Sequence, residues 1–320
     1  MTISNFAYRI LAVASAAAVI TVGGCASPAT VHPVTVSDLG TASRTASLEA
    51  SLARPGVATF RRVRFAEWTG GRGSFIDRKD PRTAAVPEGS EQAVIYAYVV
   101  DHPRFGRFLI DSGISADLEP RLGWIMRRGV KDLAVRIDQT AGGWLHGETP
   151  PQAVFLTHLH FDHIGGLIDL DHATPVYLGQ GDAAERNFVN WVLGHPADSI
   201  LEGYGPLREW AFRSDPDGTF AGVIDVFGDG SVWALHVPGH SPGSTAYLIN
   251  AVDGPKLVVG DAVHTRLGWE QAMPQPVAPE ARADAEASAA RLRRFASAHP
   301  AIEVFLGHQS RVGQAEADLR

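Results

Sequence analysis

The sequence is almost without cysteine: Cys25 is the only one in 320 residues. That excludes an internal disulfide framework and any zinc module built on clustered thiolates. Positive charge is not in excess either. The 28 Lys and Arg against 35 Asp and Glu leave a net charge of −7, so no nucleic-acid partner is expected. No apolar run is long enough to cross a bilayer, and the most apolar stretch, Ile10–Ile20, falls short of the roughly 20 residues a spanning helix needs. No sequence repeat recurs at solenoid spacing. What is present is an apolar fraction of 45%, too high for a disordered chain and sufficient for one large core or two modest ones.

The lone cysteine closes a leader-like segment. Arg9 is the only charge in residues 1–24; Ile10–Ile20 follows it, and then Thr21-Val22-Gly23-Gly24-Cys25. A positive start, a short apolar middle and small residues at the end describe an export signal rather than a fold element. Val22-Gly23-Gly24-Cys25 resembles the signal box of bacterial lipoproteins. The resemblance implies that residues 1–24 are removed and that Cys25 becomes the lipidated first residue. An ordinary signal peptide that happens to contain a cysteine is the alternative. Ala26 stands where that family's inner-membrane retention signal would place Asp. The expectation is therefore an exported, lipid-anchored protein at the outer membrane, facing the periplasm, with the lipid bilayer as a partner. Residues 25–55, rich in Pro, Ser and Thr, read as a lipidated N-terminus and flexible tether, with a short helix around Ser47–Ala53. Residues 56–320 are expected to form the folded domain.

Within that domain, short β-branched and apolar runs are bounded by Gly, Pro, Asp and His. They are Ala93–Val100, Arg107–Ile110, Ala153–Leu156, Pro175–Leu178, Val232–Val237, Ala246–Ile249, Leu257–Val259 and Ile302–Leu306. Helical patterns are read over Ala183–Leu193 and over Pro279–Ala298, the latter with Pro near its start and Leu292 and Phe295 on one face. Strands interleaved with helices predict a layered α/β protein. Ala116–Pro150 fits neither pattern and reads equally as a helix-containing lid or a surface connection.

The chemistry is concentrated after Leu156. In Thr157-His158-Leu159-His160-Phe161-Asp162-His163-Ile164-Gly165-Gly166, three histidines and an aspartate fall within six residues. In an extended segment His158 and His160 point the same way, and Asp162 and His163 occupy the next turn. Imidazole nitrogen and carboxylate oxygen are the donors zinc accepts, so this cluster is a candidate metal site.

His158-x-His160-x-Asp162-His163 resembles the signature of the metallo-β-lactamase-fold hydrolases, and further motifs of that family follow in order. Pro238-Gly239-His240-Ser241-Pro242-Gly243-Ser244 is similar to its second histidine motif, Gly260-Asp261 to its bridging aspartate and Gly307-His308 to its last histidine. Asp111, in Leu109-Ile110-Asp111-Ser112-Gly113, resembles its early aspartate that orients a ligand; an ordinary strand-end turn aspartate is the alternative. The resemblance spans Val57 to Gln314 and implies an αββα sandwich of two mixed sheets flanked by helices. It implies two Zn²⁺ ions per chain, with Fe or Mn also acceptable to these donors. His158, His160 and His240 would hold one ion, Asp162, His163 and His308 the other, and Asp261 would bridge them. Two such ions, about 3.5–4 Å apart, would generate hydroxide from a shared water and polarise a carbonyl.

An aspartate at Asp261 is similar to the lactonases, the glyoxalase II thioesterases and the tRNA-processing nucleases rather than to the true β-lactamases. Only twelve residues follow His308, too few for a glutathione-binding helical region, and the acidic chain is unsuited to tRNA. The quorum-quenching lactonases remain the nearest resemblance. The expected activity is metal-dependent opening of a lactone or cleavage of an ester of a small molecule. The leaving alkoxide would be protonated through Asp162, water or His264. The alternatives are an exported β-lactam or thioester hydrolase of the same fold and a lipid-anchored metal-binding protein without activity. Many of the lactonases carry a tyrosine three residues after the bridging aspartate, where this chain has His264. His264 is a candidate proton donor or shuttle, or else structural. Trp124, Trp144, Phe161, Trp191 and Trp269 are candidates for an apolar wall along an acyl chain. A homodimer is compatible with the sequence, which does not fix the oligomeric state.

Overall fold

The computed structural model describes residues 27–40, 47–132, 134–187 and 196–310. Two mixed sheets face one another. The larger has eight strands in the spatial order Val34–Val36, Leu207–Glu209, Val176–Leu178, Ala153–Phe155, Gly106–Ile110, Ser90–His102, Thr59–Gly71 and Arg136–Ile137. The smaller has five: Val223–Asp225, Val232–His236, Thr245–Ala251, Gly254–Val258 and Glu303–Phe305.

Alternation along the strands builds the layers. In Ser90–His102, Val94, Tyr96, Tyr98 and Val100 turn inward to meet Tyr247, Ile249 and Phe305 of the smaller sheet. Ile95, Ala97 and Val99 turn outward to meet Leu118, Ile164 and Ile200 under the helices. On the far side, Trp233, Leu235, Leu248 and Val304 pack beneath Leu292 and Phe295 of the long helix Arg282–Ala298. Because both faces of each sheet are covered, the central strands read as near-continuous apolar runs. The expected αββα sandwich is the fold. Among the described residues no helix is long and apolar enough to cross a membrane.

Several readings need correction. The segment read as a tether is built into the fold over its described part. Val34–Val36 pairs in parallel with Leu207–Glu209, Ser27–Pro28 pairs with Arg186–Asn187, and the Ser37 N–H donates to the Glu209 carbonyl at 2.8 Å. These are main-chain bonds, which a reading of side-chain composition does not register; Val34 and Val36 themselves are exposed. The short helix is present as Leu48–Leu52, capped by the Ser47 hydroxyl and anchored by a fully buried Leu48. The helix read over Ala183–Leu193 is not formed in its described part, where a turn leads into the strand Arg186–Asn187; its remainder, with Trp191, lies outside the described residues. Cys25 and residues 1–26 also lie outside them. Ala116–Pro150 carries three helices, Leu118–Arg121, Trp124–Asp132 and Ala141–Leu145. The strand Thr59–Gly71 had no counterpart among the sequence expectations, because Arg61, Arg62 and Arg64 and a bulge between Arg64 and Ala66 break its alternation.

Candidate metal centre

The candidate ligands lie just beyond the ends of strands at one edge of the sandwich. His158 and His160 follow Ala153–Phe155, and Asp162 and His163 sit on the short helix Phe161–Ile164 after them. His240 follows Val232–His236, Asp261 lies in the turn Gly260–Ala262 after Gly254–Val258, and His308 follows Glu303–Phe305. Seven residues scattered over the sequence thus meet in two groups, His158, His160, His240 and Asp261, and Asp162, His163 and His308.

The donor atoms converge. His240 Nε2 lies 3.2 Å from His158 Nε2 and 3.0 Å from His160 Nδ1. Asp261 reaches both groups: Oδ2 lies 3.5 Å from His240 Nε2 and 3.2 Å from His308 Nε2, and Oδ1 lies 3.5 Å from His163 Nε2. His308 Nε2 is 3.5 Å from Asp162 Oδ2. Glycines permit this approach. A Cβ on Gly307 would come within 2.1 Å of Asp261 Oδ1, and Gly260, at φ +52°, turns its chain in the left-handed region against Thr157.

The ring nitrogens facing away from the centre are occupied. His163 Nδ1 bonds the Asp111 carboxylate at 2.8 Å, and His308 Nδ1 lies 3.1 Å from the Val94 carbonyl. Each partner fixes the ring and leaves Nε2 toward the centre. Asp111 also accepts the Thr157 N–H at 2.8 Å, and it holds φ +56°, a conformation unusual for aspartate. Its carboxylate is thus placed to orient the His163 ring.

The electrostatics divide the groups. Burial holds His158 and His240 well below the usual histidine pKa, in the neutral form that can ligate. Burial also opposes charge on His163, but Asp261 and Asp111 override it and hold its pKa well above the ordinary value. Asp261 is held well below the usual carboxylate range, where His308, His264 and His163 outweigh its burial. His163 Nε2 and Asp261 Oδ1 are buried and without a hydrogen-bond partner. Orphaned donor atoms, inward-facing imidazoles and an ionised carboxylate between them fit a pair of cations.

His264 is buried beside the groups, with Nε2 3.1 Å from Asp261 Oδ2 and Nδ1 unpartnered. A residue with no sequence signal also matters here. Asp182, 1% exposed, accepts the Leu159 N–H at 2.7 Å and the Gly243 N–H at 3.3 Å. It ties the His158/His160 loop to the His240 loop. Of the candidates for an aromatic wall among the described residues, Trp124 is exposed, Trp144 and Phe161 pack against the outer core, and Trp269 is buried in the opposite one; Trp191 lies outside the described residues.

The sequence pattern of the metallo-beta-lactamase superfamily matches residues 92–308, which include every one of these ligands. The chain belongs to that superfamily. Among its relatives within it, the N-acyl homoserine lactonase AttM of Agrobacterium fabrum (strain C58) is 28% identical over 224 residues, covering 66% of this chain and 80% of that protein. The probable metallo-hydrolase YqgX of Bacillus subtilis (strain 168) is 37% identical over 117 residues, 35% of this chain and 50% of that protein. Solved structures share the fold. A quorum-quenching N-acyl homoserine lactone lactonase aligns with TM-score 0.58 at 18% identity over 82% of this chain and 95% of its own. An N-acyl homoserine lactone hydrolase with its product N-hexanoyl-L-homoserine at the catalytic metal centre aligns with TM-score 0.55 at 19% identity over 79% of this chain and 93% of its own.

Proposed function

We propose that this metal-dependent hydrolase opens lactones, or cleaves esters, of small molecules at a dinuclear centre. The observation that carries the reading is Asp261, one carboxylate set between two groups of ligands. The lactonases among the relatives support it. His158, His160 and His240 would hold one ion, Asp162, His163 and His308 the other, and Asp261 both. Zinc suits this donor set, and iron or manganese is compatible with it. When bound, two such ions acidify a shared water to near-neutral pKa and polarise a carbonyl. The chain's own residues do the rest. Asp111 and the Val94 carbonyl fix the imidazoles of His163 and His308, and Asp182 keeps the two histidine loops in register. His264, beside Asp261, delivers a proton to the leaving alkoxide, a task Asp162 shares.

The test is a panel of homoserine lactones, aryl esters, thioesters, β-lactams and a phosphodiester, offered to zinc-loaded protein with metal counted per chain. Lactone or ester turnover that His158→Ala abolishes is expected. Turnover of the β-lactam alone, or well under one metal per chain, would overturn the reading; full metal with no turnover on any substrate would leave a metal-binding protein.

We also propose that the protein is exported and anchored through a lipidated Cys25, a reading supported by Arg9, the apolar run and Val22-Gly23-Gly24-Cys25. Mass spectrometry of the membrane fraction should find a diacylglyceryl cysteine at the mature N-terminus; unprocessed chain, or cleavage at another bond, would refute it.

A further inference from the structure

Beside the metal centre lies a cavity of about 240 Å³ to which the hydrolytic chemistry assigns no role. Phe75, Val263, Met273 and the Ala285 and Ala289 positions of the long helix give it an apolar wall. His264 lines it as well, and its Nε2 lies 3.1 Å from Asp261 Oδ2, so the cavity adjoins the centre.

Its polar lining is unsatisfied. Thr265 is 1% exposed and its hydroxyl has no partner. The Gln275 amide has neither its nitrogen nor its oxygen bonded, and both atoms are out of solvent. Buried polar atoms are normally paired, so orphaned ones around a cavity mark where a polar ligand belongs.

The charges give the sign of that ligand. Three guanidinium groups and one carboxylate, Glu286, line the cavity. Arg82 is bonded to Asp80 and Glu286, and Arg282 to Asp77 and Asp80. Arg293 differs: one N–H donates to the Gly268 carbonyl at 2.9 Å, and among the described residues no carboxylate lies within ion-pair distance of it. Burial depresses its pKa, Arg294 adds to the depression, and Glu286 offsets only part. A half-buried cation short of counter-charge is a site for an anion.

We propose that this cavity receives the non-reacting end of the substrate, and that this end carries a carboxylate bound by Arg293 with Gln275 and Thr265 as further donors. The inference rests on the hydrolase reading and narrows its substrate class to lactones or esters whose arm ends in a carboxylate. The apolar wall houses the methylene arm that separates that carboxylate from the reacting carbonyl. Arg293, Gln275 and Thr265 are then specificity-determining residues, with no part in the bond-breaking step.

Calorimetry on the zinc-loaded protein tests it. The probes are the dicarboxylates from succinate through sebacate, each set against the monocarboxylate of equal chain length. Both acids can meet the metal centre with one carboxylate, but only the dicarboxylate can also reach Arg293. At least one dicarboxylate should bind about tenfold tighter than its monocarboxylate, the scale of a charge-assisted hydrogen bond. Arg293→Met should erase that advantage and leave the monocarboxylate within about twofold. Arg293→Lys should restore part of the advantage, and Gln275→Glu, which places a negative charge in the cavity, should remove it. Equal affinity for the paired acids, or an Arg293→Met variant that weakens both alike, overturns the proposal. Mono-aryl esters of the same diacids against neutral aryl esters extend the test to turnover, where the advantage should appear in KM. A dicarboxylate advantage without hydrolysis of any ester or lactone would sustain the anion site and sink the hydrolase reading.

Discussion

The two ligand groups are each backed by one buried aspartate, and the two aspartates work differently. Asp111 bonds an imidazole directly and so sets the ring of His163. Asp182 touches no ligand side chain; it accepts main-chain N–H groups of Leu159 and Gly243 and so sets the spacing of the loops that carry His158, His160 and His240. The charge of the first adds to the larger effect of Asp261, and together they raise the pKa of His163 well above its ordinary value. The second leaves its group to burial, which keeps His158 and His240 neutral. One group must exchange a proton for a metal ion, whereas the other can accept an ion as it stands. Loading should therefore begin at His158, His160 and His240.

Asp261→Ala tests the comparison at its root, because it removes the one carboxylate that touches both groups. Activity on any turned-over lactone or ester should fall by more than the roughly hundredfold that loss of a positioning partner costs. Metal analysis should find the second ion lost first; a variant with full activity would refute the bridging role. His264→Ala should cost about a hundredfold in kcat, the lower range of general acid–base catalysis, with metal content unchanged. An equal loss of metal would make His264 structural. Asp111→Asn should weaken one metal position by roughly tenfold to a hundredfold while the other keeps its affinity. Equal weakening at both positions, read by titration with a chelating competitor, would dissolve the distinction between the groups.

These differences bear on what the sequence could reveal. The two groups of candidate ligands were legible because their chemistry is compressed: His158, His160, Asp162 and His163 lie within six residues, and the later motifs carry glycines that so crowded a cluster requires. Asp111 was singled out through the resemblance alone, since its place at a strand end suits an ordinary turn aspartate equally well; its bond to His163 is seen only in the fold. Asp182 was not, because its partners are backbone amides that leave no mark on composition and that only the folded chain brings to it. The same holds for Val34–Val36, joined to the sheet chiefly by main-chain bonds, and for the cavity, whose Thr265, Gln275 and Arg293 stand on a turn, a loop and the long helix that only the fold brings together. The layered fold was legible from its apolar runs, except where Arg61, Arg62 and Arg64 interrupt a strand. Arg62 is buried there, its guanidinium over the Tyr96 ring at 5.0 Å, so a charge that argues for the surface sits inside.

The last expected effect is on stability rather than activity and concerns Asp182 itself. Burial raises its pKa from 3.8 to about 6, although the Ser241 side chain and the Leu159 and Gly243 amides favour the carboxylate. A carboxyl whose pKa is higher in the folded chain than in the unfolded one favours folding while protonated. Its contribution is complete below 3.8 and is lost as the pH climbs through about 6. At about 1.4 kcal/mol per pKa unit, the full swing is roughly 3 kcal/mol. Urea unfolding of chelator-treated protein, followed from below to above that window, should show wild type losing stability relative to Asp182→Asn, whose side chain stays neutral throughout. A difference that does not change with pH would mean that Asp182 binds its proton equally well in the folded and the unfolded chain, leaving its amide bonds as the whole of its role. Asp111→Asn measured alongside supplies the contrast: it alters the charge beside His163 and should shift metal affinity more than it shifts this stability profile.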